Sequence, residues 1–193
     1  MKFPAAALLT VFLTACTQYD NRHVIHISVA DQKMVVTDQG QPVATYPVST
    51  SKFGVGTAPG SYATPLGKHR VVKKIGDGLP SGAVFKSRRF TGEVLPVDAP
   101  GRDPIVTRIL WLDGQEPGNR HSFGRFIYIH GTPEERNIGA PVSFGCVRMR
   151  SSDVVEIYDR VGVGTRVDIF REPLAARFPQ MRDRAESDKP REM

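Results

Sequence analysis

Val24-Ile25-His26-Ile27-Ser28-Val29 is the first of three short segments that are rich in β-branched residues. Lys33 to Thr37 follows after the pair Asp31-Gln32, and Pro42 to Val48 follows after Gln39-Gly40. Short β-branched runs separated by turn-forming pairs predict strands that are joined by tight turns. We therefore expect the folded part to begin with an antiparallel meander, and the fold to be mainly β.

The remainder of the chain continues the strand pattern. Further strand candidates are Lys68 to Lys74, Ile105 to Leu112, Phe126 to Ile129 and Arg166 to Phe170. Gly (18 residues) and Pro (15 residues) are frequent and scattered, which favours many turns and short strands over long helices. From Glu172 the chain carries mixed charges, so residues 172–193 are expected to form a frayed or disordered tail.

Helical spacing is clear in one segment after position 150. Its apolar residues recur at i, i+3, i+4 and i+7: Val154, Ile157, Tyr158 and Val161. Asp153 is positioned to cap the helix, Glu156 stands three residues later, and Gly162 ends it. This helix is expected to pack one apolar face on a sheet and to hold the loop that precedes it.

Length and charge bound the possibilities. The chain has 193 residues, 40% of them hydrophobic, which suits one domain with a sizeable core. A formal net charge of +6 permits attraction to an anionic polymer. Seven basic residues against the single acid Asp77 lie between Lys68 and Arg89, as a solvated strand face or as a groove edge for anionic strands. Aromatic residues do not interleave with these charges, so nucleic acid is not expected as a partner.

The N-terminus has the features of an export signal. Lys2 is followed by an apolar stretch from Phe3 to Leu13 that is too short to span a bilayer. The stretch ends in Leu13-Thr14-Ala15-Cys16, which resembles a bacterial lipobox. The resemblance implies a lipoprotein signal peptide at 1–15, a lipid on Cys16 and a linker over 16–22. Thr17 after the cysteine favours the outer membrane, with the protein at the periplasmic face. The alternative is an ordinary signal peptide.

Cys146 and His130 are the candidates for chemistry. Cys146 is the only cysteine besides Cys16, and it stands in a glycine-flanked segment, Ser143 to Met149. His130 follows the predicted strand Phe126 to Ile129, and a strand end holds a base rigidly. A thiol with a nearby imidazole is a nucleophile and its base. Backbone N–H groups at Gly145 and Cys146 are candidate oxyanion donors.

Other roles for these residues remain open on the residues alone. A lone cysteine is often a small buried hydrophobe, and a histidine at a strand end is often merely a satisfied polar group. Arg148 is either a surface charge or a partner for a substrate carboxylate. The five histidines lack the short spacing of metal ligands, so we expect no metal site and no cofactor.

Taken together, these motifs resemble the catalytic signature of the L,D-transpeptidase (YkuD-type) family. The carrying residues are His130-Gly131 and Ser143-Phe144-Gly145-Cys146-Val147-Arg148-Met149, with Thr64-Pro65-Leu66-Gly67 upstream. The resemblance covers 23–171 as one catalytic domain. It implies a β-sandwich of mixed sheets with one or two short helices.

The resemblance also implies a reaction. Cys146 would attack the carbonyl of the third residue of a peptidoglycan stem peptide, usually meso-diaminopimelate, and release D-alanine. An amine of a second stem, or a lysine of a wall-anchored lipoprotein, would then resolve the thioester. His130 carries over as base, and Gly131 as the residue whose carbonyl orients the imidazole. Ser143, Gly145 and Arg148 carry over as the wall of the site.

Phe144 departs from the family pattern, in which many members have histidine at this position. Phenylalanine cannot donate a hydrogen bond, so it would supply an apolar wall. The acceptor therefore stays open. A hydrolase on the same scaffold, an L,D-carboxypeptidase or an amidase, is the first alternative, and a non-catalytic wall-binding lipoprotein is the second.

Overall fold

The computed structural model describes residues 19–179. Over this range it has ten strands, two short α-helices and one 3₁₀ turn. The strands are β1 (His23–Ser28), β2 (Lys33–Asp38), β3 (Gln41–Pro47), β4 (Gly67–Ile75), β5 (Ala83–Lys86), β6 (Arg89–Val94), β7 (Ile105–Gly114), β8 (Tyr128–Gly131), β9 (Val147–Met149) and β10 (Arg166–Phe170). The helices are α1 (Ser151–Arg160) and α2 (Leu174–Arg177), and the 3₁₀ turn is Glu135–Asn137.

The strands form one mixed hydrogen-bonded network. Its main path runs β3-β2-β1-β10-β4-β7-β5-β6, and β8 pairs with both β7 and β9 beside this path. The pairs β1–β10 and β8–β9 are parallel, whereas the other pairs are antiparallel. The predicted meander of β1, β2 and β3 is confirmed, as is the mainly β fold with two short helices.

β7 separates two apolar clusters because its side chains alternate between its faces. Leu110 and Leu112 belong to the main core, whereas Ile109 and Trp111 belong to a smaller second cluster. The main core also contains side chains from β1, β2 and β10 on one side and from β8, β9 and α1 on the other. These two layers enclose the core as the predicted sandwich requires.

The helix α1 begins earlier than predicted, and its cap is different. It starts at Ser151 with Arg150 as the N-cap residue, and no side chain of that residue caps it. The Ser151 N–H donates instead to Glu135 Oε1 at 2.7 Å. Asp153 lies inside the first turn, where its charge favours the helix dipole. The predicted apolar face is confirmed, because all four of its residues lie in the main core.

Two other segments differ from expectation. β8 begins two residues later than predicted, so His130 lies within the strand rather than after it. Past Glu172 the chain does not fray at once, because Leu174 and Phe178 pack with Val35 and Phe170. No helix within 19–179 has the length and apolar character needed to cross a membrane. Cys16 and the predicted signal peptide lie outside the described residues.

Candidate active site

The site is built on the neighbouring parallel strands β8 and β9. Their register places His130 beside Arg148, and Ile129 beside Val147. Val147 and Ile129 face the main core. Because side chains alternate along a strand, His130, Arg148 and the preceding Cys146 face the opposite side. The two predicted catalytic residues are thus brought to one face of adjacent strands.

Cys146 has the environment of a partly buried, uncharged thiol. Its side chain packs against the second cluster, which contains Tyr128 and Trp111. The thiol donates to the Phe126 carbonyl at 3.3 Å. Burial raises the pKa of Cys146 to about 11, although the Tyr128 backbone N–H and the charges of Arg148 and Arg125 oppose that shift. The resting state near neutral pH is therefore a thiol.

His130 is buried and held in one tautomer. Its Nδ1 lies 2.8 Å from the Gly131 carbonyl oxygen. A carbonyl can only accept, so Nδ1 carries the proton and Nε2 keeps its lone pair. Burial lowers the pKa of His130 to about 4, and the charge of Arg148 acts in the same direction. The geometry supplies a neutral imidazole whose free nitrogen can accept a proton.

Two glycines are required by the local backbone. A Cβ on Gly131 would lie 2.7 Å from the Val106 carbonyl oxygen, because β7 approaches closely there. Gly145 has a φ of 115°, which side-chain-bearing residues rarely adopt. Its N–H donates to Ser143 Oγ at 3.2 Å, and the Ser143 hydroxyl donates to the Cys146 carbonyl at 2.6 Å. Of the two candidate oxyanion donors, the Gly145 N–H is therefore already engaged.

Arg148 is not free to bind a substrate carboxylate. It is buried, and its Nη1 lies 2.5 Å from Asp103 Oδ2. The other oxygen of Asp103 accepts from Thr132 Oγ1, also at 2.5 Å. Asp103 thereby ties the end of β8 to β9. Arg148 is part of the wall of the site, but its charge is paired within the chain.

The upstream motif lies on the other side of the cysteine segment. Ser51 forms a parallel bridge with Ser143, and Ser49 pairs with Arg148. Thr64, from the Thr-Pro-x-Gly motif, donates from its hydroxyl to the Gly145 carbonyl at 3.1 Å. The cysteine segment is thus held between β8 and the residues that carry the upstream resemblance.

Aromatic side chains cluster around Phe144 in the cysteine segment. Phe144 is 53% exposed, and its ring centroid lies 5.6 Å from that of Phe53 and 6.1 Å from that of Tyr62. Lys52 Nζ lies 4.3 Å above the Phe144 ring. Phe144 is therefore an exposed apolar residue of the cysteine segment, and it adjoins exposed aromatic partners that the sequence did not indicate. Its predicted role as an apolar wall of the site stays a prediction.

Sequence reasoning missed two charged residues near the site, Asp103 and Arg125, and it included Arg88 only as one member of the basic segment Lys68 to Arg89. The Arg125 guanidinium donates to the carbonyls of Gly56 at 3.1 Å and Ala63 at 2.7 Å, so it holds the loop before the Thr64 motif. Neither Asp103 nor Arg125 carries a local pattern, and only their contacts in the structure reveal them. Among residues 19–179, no group of three His, Cys, Asp or Glu side chains is arranged to hold a metal ion.

Comparison with known proteins identifies the family. Residues 22–169 match the YkuD family, described as the L,D-transpeptidase catalytic domain. The chain is 31% identical over 156 residues to the probable L,D-transpeptidase YbiS of Escherichia coli K12, covering 79% of this chain and 46% of that protein. It is 30% identical over 158 residues to the probable L,D-transpeptidase ErfK/SrfK of Salmonella typhimurium, with the same two coverages.

Solved structures agree on the fold. L,D-transpeptidase 3 of Mycobacterium tuberculosis, solved with a faropenem-derived adduct, superposes with a TM-score of 0.51 at 20% identity, covering 78% of this chain and 60% of that one. The fold and the paired strands of the site thus define a YkuD-type catalytic domain. The chain belongs to the L,D-transpeptidase family of enzymes. It spans about half the length of the curated relatives that it matches.

Proposed function

We propose that this protein is a peptidoglycan L,D-transpeptidase that uses Cys146 as its nucleophile. The observation that carries the proposal is the parallel pairing of β8 and β9, which sets Cys146 and His130 on one face of adjacent strands. Family membership adds the substrate class, a stem peptide of peptidoglycan. The periplasmic face of the envelope is the corresponding location.

The first half-reaction forms a thioester. His130 Nε2 takes the thiol proton as Cys146 Sγ attacks the carbonyl carbon of the third stem residue. The Cys146 N–H stabilises the oxyanion, since the Gly145 N–H is engaged by Ser143. The tetrahedral intermediate collapses, the peptide bond to D-alanine breaks, and imidazolium returns its proton to the leaving amine.

Proton transfer accompanies attack in this scheme. Both shifts, a raised pKa for Cys146 and a lowered one for His130, disfavour a resting thiolate–imidazolium pair. In this scheme the thiol loses its proton as it attacks the substrate carbonyl. In the second half-reaction an acceptor amine attacks the thioester, His130 takes its proton, and Cys146 leaves and is reprotonated. The amine belongs to a second stem, giving a 3→3 cross-link, or to a lysine of a wall-anchored lipoprotein.

The alternative acceptor is water, which would make the enzyme an L,D-carboxypeptidase or amidase. The exposed aromatic wall of Phe144, Phe53 and Tyr62 favours transfer, because apolar rings beside the thioester hinder the approach of water. Phe144→Ala should therefore raise the ratio of tripeptide to cross-linked dimer several-fold. Phe90→Ala, which alters an exposed phenylalanine on β6, is the control.

Product analysis tests the proposal. Purified protein is incubated with disaccharide-tetrapeptides, and the products are separated and weighed by mass spectrometry. We expect a 3→3 dimer and released D-alanine, and neither product with Cys146→Ala. Tripeptide without dimer would establish the hydrolase instead. Full turnover by Cys146→Ala would reject Cys146 as the nucleophile, and the absence of any product with the wild type would reject both enzymes and leave the wall-binding role.

We also propose that Cys16 carries a lipid that anchors the protein to the outer membrane. The support is the sequence Leu13-Thr14-Ala15-Cys16 after a short apolar stretch. Cys16→Ser should abolish labelling by a radioactive fatty acid, and Cys146→Ser should leave the labelling unchanged. Labelling that survives in Cys16→Ser contradicts the anchor.

A further inference from the structure

Arg88 lies over the ring of Phe126, whose carbonyl accepts from the thiol, and it pairs with no acidic residue among those that the structure describes. The two other arginines near Cys146 are occupied: Arg148 pairs with Asp103, and Arg125 donates to main-chain carbonyls. None of the ion pairs formed by residues 19–179 involves Arg88. The carboxylate-binding role that the sequence suggested for Arg148 thus has another candidate.

A strained turn holds Arg88 in place. Ser87 and Arg88 join β5 to β6 with φ values of 48° and 65°, the left-handed conformation that glycine and asparagine usually supply in such turns. Neither residue is suited to that conformation by its backbone preference. In this turn the Arg88 side chain lies over Trp111 of the second cluster.

The Arg88 guanidinium lies over two aromatic rings near the cysteine segment. Its central carbon lies 5.0 Å from the ring centroid of Trp111 and 4.9 Å from that of Phe126. Its Nη1 is 3.5 Å from the Tyr128 hydroxyl. Phe126 also supplies the carbonyl that accepts from the Cys146 thiol. Arg88 therefore contacts the ring of the residue whose carbonyl accepts from the Cys146 thiol.

Cation–π contact with two rings holds a guanidinium in place and leaves N–H groups available to a ligand. Those groups match the two oxygens of a carboxylate, and aromatic faces reduce competition from water. A lysine at this position would carry the charge but not the planar fork. Arg88 thus supplies the donor side of a carboxylate-binding site.

We propose that Arg88 binds a carboxylate of the acyl-donor peptide and thereby positions its scissile carbonyl at Cys146. The proposal rests on the proposed function, since it assumes a stem peptide as the donor. Two carboxylates of such a donor have the required chemistry. One is on the side chain of the third residue, and the other is the C-terminus of the departing D-alanine.

Binding measurements separate this proposal from the catalytic one. The Cys146→Ala variant binds donor without reacting, so Kd for a tetrapeptide can be measured by calorimetry whether or not the wild type forms a thioester. Arg88→Gln in that background should raise Kd about 10- to 100-fold, the value of a charge-assisted hydrogen bond. Arg88→Lys should fall between the two. Arg89→Gln, which alters the exposed neighbour on β6, should change Kd less than twofold.

Modified donors identify the carboxylate. One tetrapeptide has lysine as its third residue and so lacks the side-chain carboxylate, and another has an amidated C-terminus. The effect of Arg88→Gln should vanish for the peptide that lacks the bound carboxylate and persist for the other. An equal effect on all three peptides, or less than a twofold effect on each, overturns the proposal. The proposal is also overturned if Lys52→Gln, and not Arg88→Gln, weakens binding only of the donors that carry a particular carboxylate.

Discussion

Asp103 forms a buried ion pair with Arg148, and its removal should destabilise the domain strongly. The two charged atoms lie 2.5 Å apart, and the side chains of Arg148 and Asp103 are only 10% and 16% exposed. Asp103→Ala would leave the guanidinium buried without a counter-charge, which costs about 3–5 kcal/mol. It would also remove the acceptor of the Thr132 hydroxyl. Asp103→Asn keeps an acceptor but no charge and should cost less, about 1.5–3 kcal/mol.

Urea unfolding at pH 7 is the assay. With a slope of about 1–3 kcal/mol per M, Asp103→Ala should lower the midpoint by about 1–5 M at an unchanged slope. The matched control is Glu93→Ala, which removes a surface pair with Arg102 whose side chains are 40% and 56% exposed. Exposed pairs contribute less than about 1 kcal/mol, so this midpoint should barely move.

Equal midpoints for Asp103→Ala and Glu93→Ala would refute the reasoning. A second result bears on the same mechanism, because a paired hydrophobic replacement removes both charges together. Asp103→Leu combined with Arg148→Met should recover most of the lost stability. If the double variant is as unstable as Asp103→Ala, the unpaired charge is not the cause of the loss.

Three further predictions concern the backbone and the titration of the site. Gly131→Ala places a Cβ 2.7 Å from the Val106 carbonyl oxygen and should lower the free energy of unfolding by about 1–3 kcal/mol. Gly118→Ala, whose Cβ would meet no atom within 4 Å, should keep the wild-type Tm. Equal Tm values for the two variants would contradict this prediction. Because the pKa of Cys146 is about 11, its alkylation by iodoacetamide should accelerate from pH 7 to 10 without levelling, and a plateau below pH 8 would reveal a thiolate already formed. His130 has a pKa of about 4 when folded against 6.5 when unfolded, so the unfolded state binds its proton first as pH falls. The free energy of unfolding should thus drop by about 2 kcal/mol more between pH 7 and 5 in the wild type than in His130→Gln, and identical drops would show that His130 is not buried as a neutral ring.

The sequence predicted the strands that have strong periodicity. β10 matches its predicted range, and β4 and β7 extend the predicted ranges by one or two residues. β5 and β6 were missed because their turn, Ser87-Arg88, lacks the glycine or asparagine that usually signals a hairpin. β9 was missed because three residues are too short to show alternation.

The helix cap shows a second limit of local patterns. Asp153 fits a capping box by spacing, yet the helix N-terminus is capped by Glu135, which is distant along the chain. The early start at Ser151 follows from this tertiary contact. A pattern of neighbouring residues cannot indicate a capping side chain that lies in a different turn of the fold.

The site was predictable where its residues form a motif. Cys146, His130 and Gly131 could be singled out from the segments that carry them, and the structure adds the Nδ1 contact that fixes the imidazole. The partner of the Arg148 charge could not be predicted. Asp103 lies in a proline- and glycine-rich segment without periodicity, so nothing in the sequence connects it to Arg148.

The central claim is that Cys146 is the acyl-accepting nucleophile, and intact-mass analysis tests it most directly. Wild-type protein mixed with a stem tetrapeptide should gain the mass of the donor minus D-alanine, and peptide mapping should place the adduct on Cys146. His130→Gln should form this adduct at least about 100-fold more slowly, since it lacks the base. An adduct on another residue, or cross-linking by a Cys146→Ala protein, would contradict the account.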